Sequence, residues 1–290
     1  MVEEADIRRP TATNGPVRIY GTPERGPLRS VIATGRDFSE GLRRHQVWLA
    51  FAWDEVQNRY RRSIVGLGWI GLSFLIFVAA ISIFFGAFSG LKPQDYIAYV
   101  SFGFAVFQFL MGNVVDGCSV FTRSASWLKG MALPYSVYVY KGVARSLLPL
   151  AIYAILAVAL LPLFGWRPTA IALWSIPAVV LLVLTAIPVQ WVFGLLAARW
   201  RDVSHFIAAI ARIFLFSTPI IWVYDETEGI RRTLADINPF THFVQIVRQP
   251  LLGEMADSQH IVGALFWTVA AWVVAFVAGA LMRRQLPFWV

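Results

Sequence analysis

The 290-residue chain is 58% hydrophobic and only 14% charged, with a formal net charge of +8 and a mean hydropathy of +0.61. Soluble domains sit near roughly half apolar and about a quarter charged, so this composition excludes an ordinary soluble globule. A single cysteine, Cys118, excludes a disulfide framework and a thiolate metal cluster. The basic excess lies beside apolar runs, which points to membrane topology rather than to nucleic acid.

Residues 1–36 are polar, rich in Pro, Gly, Thr and Arg, and lack the apolar core of a cleavable signal, so they read as a mobile tail. Residues 37–62 read as an amphipathic interface helix, the alternative being a soluble amphipathic helix packed on a partner, because Phe38, Leu42, Leu49, Trp53, Val56 and Tyr60 recur on one helical face, flanked by Arg43, Arg44, Asp54, Glu55, Gln57 and Arg59. Residues 63–290 follow as a membrane domain. Six stretches approach the length of about 20 apolar residues that a spanning helix needs: 64–88, 97–118, 140–164, 171–197, 206–224 and 261–282. The fold class is therefore an all-α integral membrane protein of six transmembrane helices. Continuous apolar runs, rather than short alternating segments, exclude a β-barrel.

With the N-terminus inside, the basic residues concentrate in the cytoplasmic segments and the adjacent helix ends. The opposite side keeps only Lys92, Arg167, Arg231, Arg232 and Arg248, which places both termini in the cytoplasm. The external segment 225–260 is too long for a plain connector. It opens acidic, passes through Ile237-Asn238-Pro239-Phe240, and ends at Arg248-Gln249-Pro250-Leu251-Leu252-Gly253. Two short re-entrant helices, or simply a folded external loop, fit this pattern.

Catalytic signatures are missing. Gly66-Leu67-Gly68-Trp69-Ile70-Gly71 has the letters of a dinucleotide fingerprint, but no strand precedes it and it opens a spanning helix, so close helix packing is its role. There is no phosphate loop and no nucleophile elbow. The four histidines show no metal-ligand spacing, so no metal site is expected. Asp116, Lys141 and Arg145 lie near the same ends of the second and third spans, where they either pair across the hairpin or contact an anionic headgroup. The deep aromatics, among them Trp69, Phe74, Phe77, Phe84, Phe85, Phe102 and Phe107, either pack the bundle or line a path with faces suited to sugar rings.

The stretch from Leu49 to Trp69, with Arg59-Tyr60-Arg61-Arg62-Ser63-Ile64-Val65-Gly66 at its centre, resembles the interface helix and first-span start of ABC-2-type exporter permeases for O-antigen, capsular polysaccharide and teichoic acid. Trp200-Arg201-Asp202-Val203, Ser217-Thr218-Pro219-Ile220, Ile237-Asn238-Pro239-Phe240 and the segment from Arg248 to Gly253 match the same family in order. Between the second and third spans Leu133-Pro134 holds the expected place, but the polar run before it is reduced.

The resemblance implies a homodimeric permease in a bacterial cytoplasmic (inner) membrane, bound to two copies of an ABC ATP-binding subunit. ATP and Mg would bind that partner, with no cofactor in this chain and no enzymatic role for it. It implies a polyprenyl-diphosphate-linked glycan as cargo, with Arg61, Arg62 and Arg145 as diphosphate contacts. Arg123, Trp127 and Lys129, with Arg201 and Asp202, would couple to the ATPase. Pro239, Phe240, Arg248 and Pro250 would belong to an external gate. An ABC-2-type exporter of a drug or small lipid, and a secondary carrier, remain alternatives. The carrier would need midplane carboxylates, which the spans lack.

Overall fold

The computed structural model describes residues 27–61 and 63–290. The described residues are mostly helical, with no strand among them. In chain order the helices are α1 (Pro27–Arg43), α2 (His45–Tyr60), α3 (Gly68–Phe85), α4 (Pro93–Gly117), α5 (Ala125–Gly130) and α6 (Ser136–Leu160). They continue as α7 (Ser175–Arg199), α8 (Asp202–Ser217), α9 (Ile230–Ile237), α10 (Pro239–Leu252), α11 (Ser258–Met282) and α12 (Leu286–Trp289). Five segments are long and apolar enough to cross a membrane: Gly68–Phe88, Pro93–Gly117, Ser136–Phe164, Ala170–Arg199 and Ser258–Trp289.

The remaining expected span, 206–224, differs. Its helix, α8, has 16 residues, about 24 Å at 1.5 Å per residue, which falls short of the roughly 30 Å hydrocarbon core. Thr218 ends it in an extended conformation, and the chain then turns through Pro219 rather than continuing as helix.

The spans arrange themselves around α4. In α4, 78% of the most apolar stretch is buried, against 17–33% for the other four. Composition accounts for this. Ser101, Gly103, Ala105, Asn113 and Gly117 give α4 small and polar positions that let its neighbours α3, α6, α7, α8 and α10 approach it. The more uniformly aliphatic faces of α3, α6 and α11 stay exposed, as lipid requires.

The segment expected as a tail and one interface helix is arranged otherwise. Helix begins at Pro27, so residues 27–36 are helical rather than tail, while residues 1–26 lie outside the described residues. The helix breaks at Arg44, whose φ of −86° and ψ of 38° leave the α region. The apolar stripe therefore splits. Phe38 is buried against Trp191 (ring centroids 4.9 Å apart) and Trp272 (5.2 Å), and Val56 is buried, whereas Leu42, Leu49 and Trp53 are exposed.

Asp37 fixes the α1 half. Its carboxylate accepts the Ser136 (2.8 Å) and Tyr135 (3.2 Å) amides at the start of α6, and pairs with Arg283 at 3.2 Å. A side chain 99 residues away thus supplies the negative cap for orphan N–H groups at that helix start. Burial pushes the Asp37 carboxyl up from its ordinary value, against the opposing pull of these amides and of Arg283.

At the opposite end of the bundle, α9 and α10 are the two short helices expected between the last spans. All residues from Phe240 to Pro250 are buried, and α10 packs against α4, α7 and α11. Asn238 caps it by accepting the Phe240 amide at 3.0 Å, with Pro239 at the first position, and Gly253 closes it at φ +95°.

Candidate functional site

At the α1–α2 end, three helices bring charge together. Lys141 and Arg145 stand one turn apart on α6, so they share a face. Lys141 Nζ lies 3.0 Å from Glu55 Oε2 on α2. Arg145 bridges two carboxylates, with Nη1 on Glu55 Oε1 and Nη2 at 2.8 Å from Asp116 Oδ2 at the foot of α4. Arg123 approaches Asp116 at 3.7 Å. The hairpin pairing of Asp116 with Arg145 is present. Glu55, which the sequence showed only as one polar flank of an amphipathic helix, is the partner that ties α2 to α6. Burial pushes the Glu55 carboxyl up, and Arg145 with Lys141 outweighs that effect, holding it below the usual glutamate value.

Beside this cluster a cavity of about 370 Å³ opens between α2, α3, α4 and α6. Asp116 and Arg145 form part of its wall, with Arg59, Trp69 and Gln108. Pro149 lies in the same wall and cannot donate to the Arg145 carbonyl one turn back, which loosens α6 where the cavity indents it.

A second polar set closes the far side of α4. Gln190 of α7 donates to Asn113 Oδ1 at 2.6 Å, Ser146 donates to the same atom at 3.2 Å, and Asn113 Nδ2 donates to the Phe109 carbonyl at 2.7 Å. Gly117 and Gly142 admit Gln190, since a Cβ at either position would meet its side chain. Behind this network lies an apolar cavity of about 410 Å³ between α4, α7, α8, α10 and α11.

At the α9–α10 end, three short motifs distant in sequence meet. Asn238 Nδ2 donates to Thr218 Oγ1 at 3.0 Å, linking the Asn-Pro turn to the end of α8. Arg248, fully buried, donates to the Pro219 carbonyl at 2.6 Å and to Gln245 Oε1 at 2.8 Å, and its guanidinium lies 3.6 Å over the Tyr99 ring. The Tyr99 hydroxyl in turn accepts the Tyr224 amide at 3.0 Å. Nearby, His242 and His260 share an Nδ1–Nδ1 hydrogen bond of 3.1 Å, joining α10 to α11.

The candidate residues distribute unevenly over this frame. Trp69, Phe84 and Phe85 are exposed on α3. Phe74, Phe102 and Phe107 are buried packing residues instead, and Phe77 stacks on Phe104 at 3.7 Å. Their aromatic faces are occupied by neighbouring helices. Arg145 is buried and committed to carboxylates, Arg61 is exposed, and Arg62 lies outside the described residues. Trp127 and Lys129 on α5 are exposed, with Trp127 also 5.0 Å from the Phe51 ring of α2, and Arg201 and Asp202 are exposed at the start of α8. Pro239, Phe240, Arg248 and Pro250 all belong to the seat of α10, and Arg248 is an internal tie rather than an exposed charge. Sequence reasoning missed Asp37, Glu55 and Gln190 as ties between helices, and Arg59 and Gln108 as lining of the cavity. The only available signal was polarity at points where a helix face should be apolar.

The sequence profile of the ABC-2 type transporter family matches residues 46–252, from the start of α2 to the end of α10. The chain belongs to that family, whose members are membrane-spanning subunits with ATP hydrolysis in a separate ATP-binding subunit. Among characterised proteins it is similar to an O-antigen export system permease of Klebsiella pneumoniae, with 20% identity over 208 residues that cover 71% of this chain and 80% of the relative.

Proposed function

We propose that the chain is the membrane-spanning subunit of an ATP-driven exporter that moves a lipid-linked, O-antigen-like polysaccharide across the bacterial cytoplasmic membrane. It works as a homodimer with two ATP-binding subunits, which hold ATP and Mg, and both termini are cytoplasmic. The observation that carries this reading is the family match running unbroken from the interface helix to α10, joined to the likeness to an O-antigen export permease. In this reading α8 is the sixth span, completed by residues 218–224. It buries none of its residues within the protomer, and α3 exposes most of its face, so both have surface for a second copy. Exposed Trp127 and Lys129 are the coupling contacts to the ATPase.

Co-expression with an ATP-binding subunit from the same gene neighbourhood tests the reading. The expected result is a stable complex with two permease copies, whose ATP hydrolysis rises on addition of lipid-linked glycan. A monomer that binds no ATPase sinks the proposal. Replacing Trp127 and Lys129 with alanine is expected to abolish ATPase binding. One observation favours a second reading, export of a small lipid: the cavity of about 410 Å³ is lined almost wholly by apolar side chains, and its Asn113 and Thr185 are bonded internally. Stimulation of ATP hydrolysis by glycan-free lipid alone would select it.

A further inference from the structure

Two histidines 18 residues apart meet where α10 leaves the Asn-Pro turn and α11 begins. Both are buried, His260 completely. Their rings lie 5.3 Å apart centre to centre, with the two Nδ1 atoms at 3.1 Å. His242 also rests on the backbone of α11, because a Cβ at Gly263 would stand 2.5 Å from its Nδ1. The first turns of the two helices are therefore in close contact through imidazole.

The groups around the pair decide where its protons sit. Gln259 Nε2 donates to the Tyr224 hydroxyl at 3.0 Å, and that hydroxyl gives its own proton to the Asp236 carboxylate. The second hydrogen of the Gln259 amide faces His260 Nε2 at 3.4 Å. His260 Nε2 is then an acceptor, so His260 carries its proton on Nδ1 and donates to His242 Nδ1. His242 holds its proton on Nε2. Every atom in the row has one role, and the row is complete with both rings neutral. A further proton has two places to go. On His260 Nε2 it opposes the Gln259 amide; on His242 Nδ1 it sets two N–H groups head to head. Either position removes a contact that ties α11 to its neighbours.

The charges facing the pair are Arg232 and Asp236 of α9 and Asp257 just before α11. Of the other helices against α10, α4 offers Tyr99, which is engaged with Arg248, and the one charged residue of α7 is Arg199 at its last position. Burial pushes the His242 imidazole below its ordinary value, against the opposing pull of the Asp236 backbone and charge. An open crevice of about 620 Å³, lined by Asp236, His242, Ser258 and Gln259 among others, leads solvent to the pair.

We infer that His242 and His260 form an acid-labile joint: neutral, they hold α10 against α11, and protonation frees α10 from that seat. The inference stands on the fold alone, whatever the chain carries. The closed joint excludes protons that the open one binds, so opening gains as pH falls below the ordinary histidine value of about 6.5. At about pH 5 this linkage amounts to about thirtyfold for one histidine held neutral.

Hydrogen–deuterium exchange of the full chain in lipid nanodiscs tests this, read on peptides from residues 239–252 and corrected for the intrinsic pH dependence of exchange. Between about pH 7.5 and about pH 5, exchange in α10 is expected to rise about tenfold or more. Peptides of α2 report the Glu55 cluster separately, so the two ends are not confused. His260→Asn keeps a side-chain amide that can give or accept a hydrogen bond and does not titrate, so its α10 should change less than about twofold over the same range. His260→Ala removes the tie and should raise α10 exchange at both pH values. Unchanged protection of α10 in the parent overturns the joint, as does an acid loss in His260→Asn equal to the parent's. Full protection in His260→Ala overturns it too, since the pair would then hold nothing. Nitrogen-15 spectra of the parent imidazoles need no variant: one protonated and one bare Nδ1 are expected near neutrality, and two cationic rings there would sink the inference.

Discussion

The two ends of the bundle bury arginine in opposite ways. At the α1–α2 end, Arg145 is neutralised by two carboxylates from two other helices, within a partly hydrated cluster beside an open cavity. At the α9–α10 end, Arg248 is fully buried with no carboxylate in contact, held by a carbonyl, a side-chain amide and the face of Tyr99. The first arrangement uses charge to gather helices while leaving room for a ligand. The second uses directional donors to fix one loop geometry. A pair of charges can slide or exchange partners at modest cost, whereas a guanidinium held by one backbone carbonyl, one side-chain amide and one ring cannot. The difference suits an adjustable end and a locked one.

Breaking the lock is expected to have the largest effect. Arg248→Ala leaves the Pro219 carbonyl unpaired and a void beneath Tyr99, and should cost about 3–5 kcal/mol, read as loss of the folded fraction in thermal unfolding of the detergent-solubilised chain. Arg248→Met, which refills the volume without charge, should recover more than half of that loss, because no counter-charge is stranded. Arg145 inverts the pattern. Arg145→Met and Arg145→Ala should both cost about 2–4 kcal/mol in the same assay, because whatever the volume Glu55 is left with Lys141 alone and Asp116 with only the more distant Arg123. If methionine rescues position 145 as well as 248, the contrast between the two ends is wrong.

Smaller changes sharpen the comparison. Asn238→Ala removes the cap of α10 and its tie to Thr218, with an expected loss of about 1–2 kcal/mol in the same unfolding assay. Glu55→Gln should cost under about 1 kcal/mol, since Glu55 is partly hydrated and Arg145 keeps Asp116. Its signature is pH dependence. The Glu55 carboxyl is depressed in the folded chain, so its contribution is complete above the ordinary glutamate value and is lost as pH falls through the depressed one. Parent and Glu55→Gln stabilities should therefore differ near neutrality and converge in acid. A constant difference across that range would remove Glu55 as a charged tie.

Legibility in the sequence followed the same division. The pairing of Asp116 with Arg145 could be read from matching depth on neighbouring spans, because a hairpin places its two ends side by side. The motifs at Ser217, Ile237 and Arg248 could be recognised singly, but nothing local says that Pro219 receives a hydrogen bond from a residue 29 positions later. The interface helix was read as one amphipathic element because a periodic stripe cannot show that Arg44 breaks it, or that Phe38 turns inward to meet Trp191. The deep phenylalanines were equally ambiguous, since Phe74 and Phe84 occupy similar apolar contexts and only the neighbouring helices decide which ring is covered.

What the sequence by itself determined is the class of solvent and the course of the chain. Runs of apolar residues near bilayer length leave helices as the way to satisfy their backbone groups, and basic flanks bias their orientation. What only the tertiary structure decided is which polar groups are spent and which are free. Glu55 and Asp116 consume Arg145, Pro219 and Tyr99 consume Arg248, and Arg59 lines a cavity with no partner among the described residues. The physical reason is that a helix can satisfy its own backbone, but a charged side chain in a bundle needs a partner from another helix, and that partner is set by packing rather than by position in the chain.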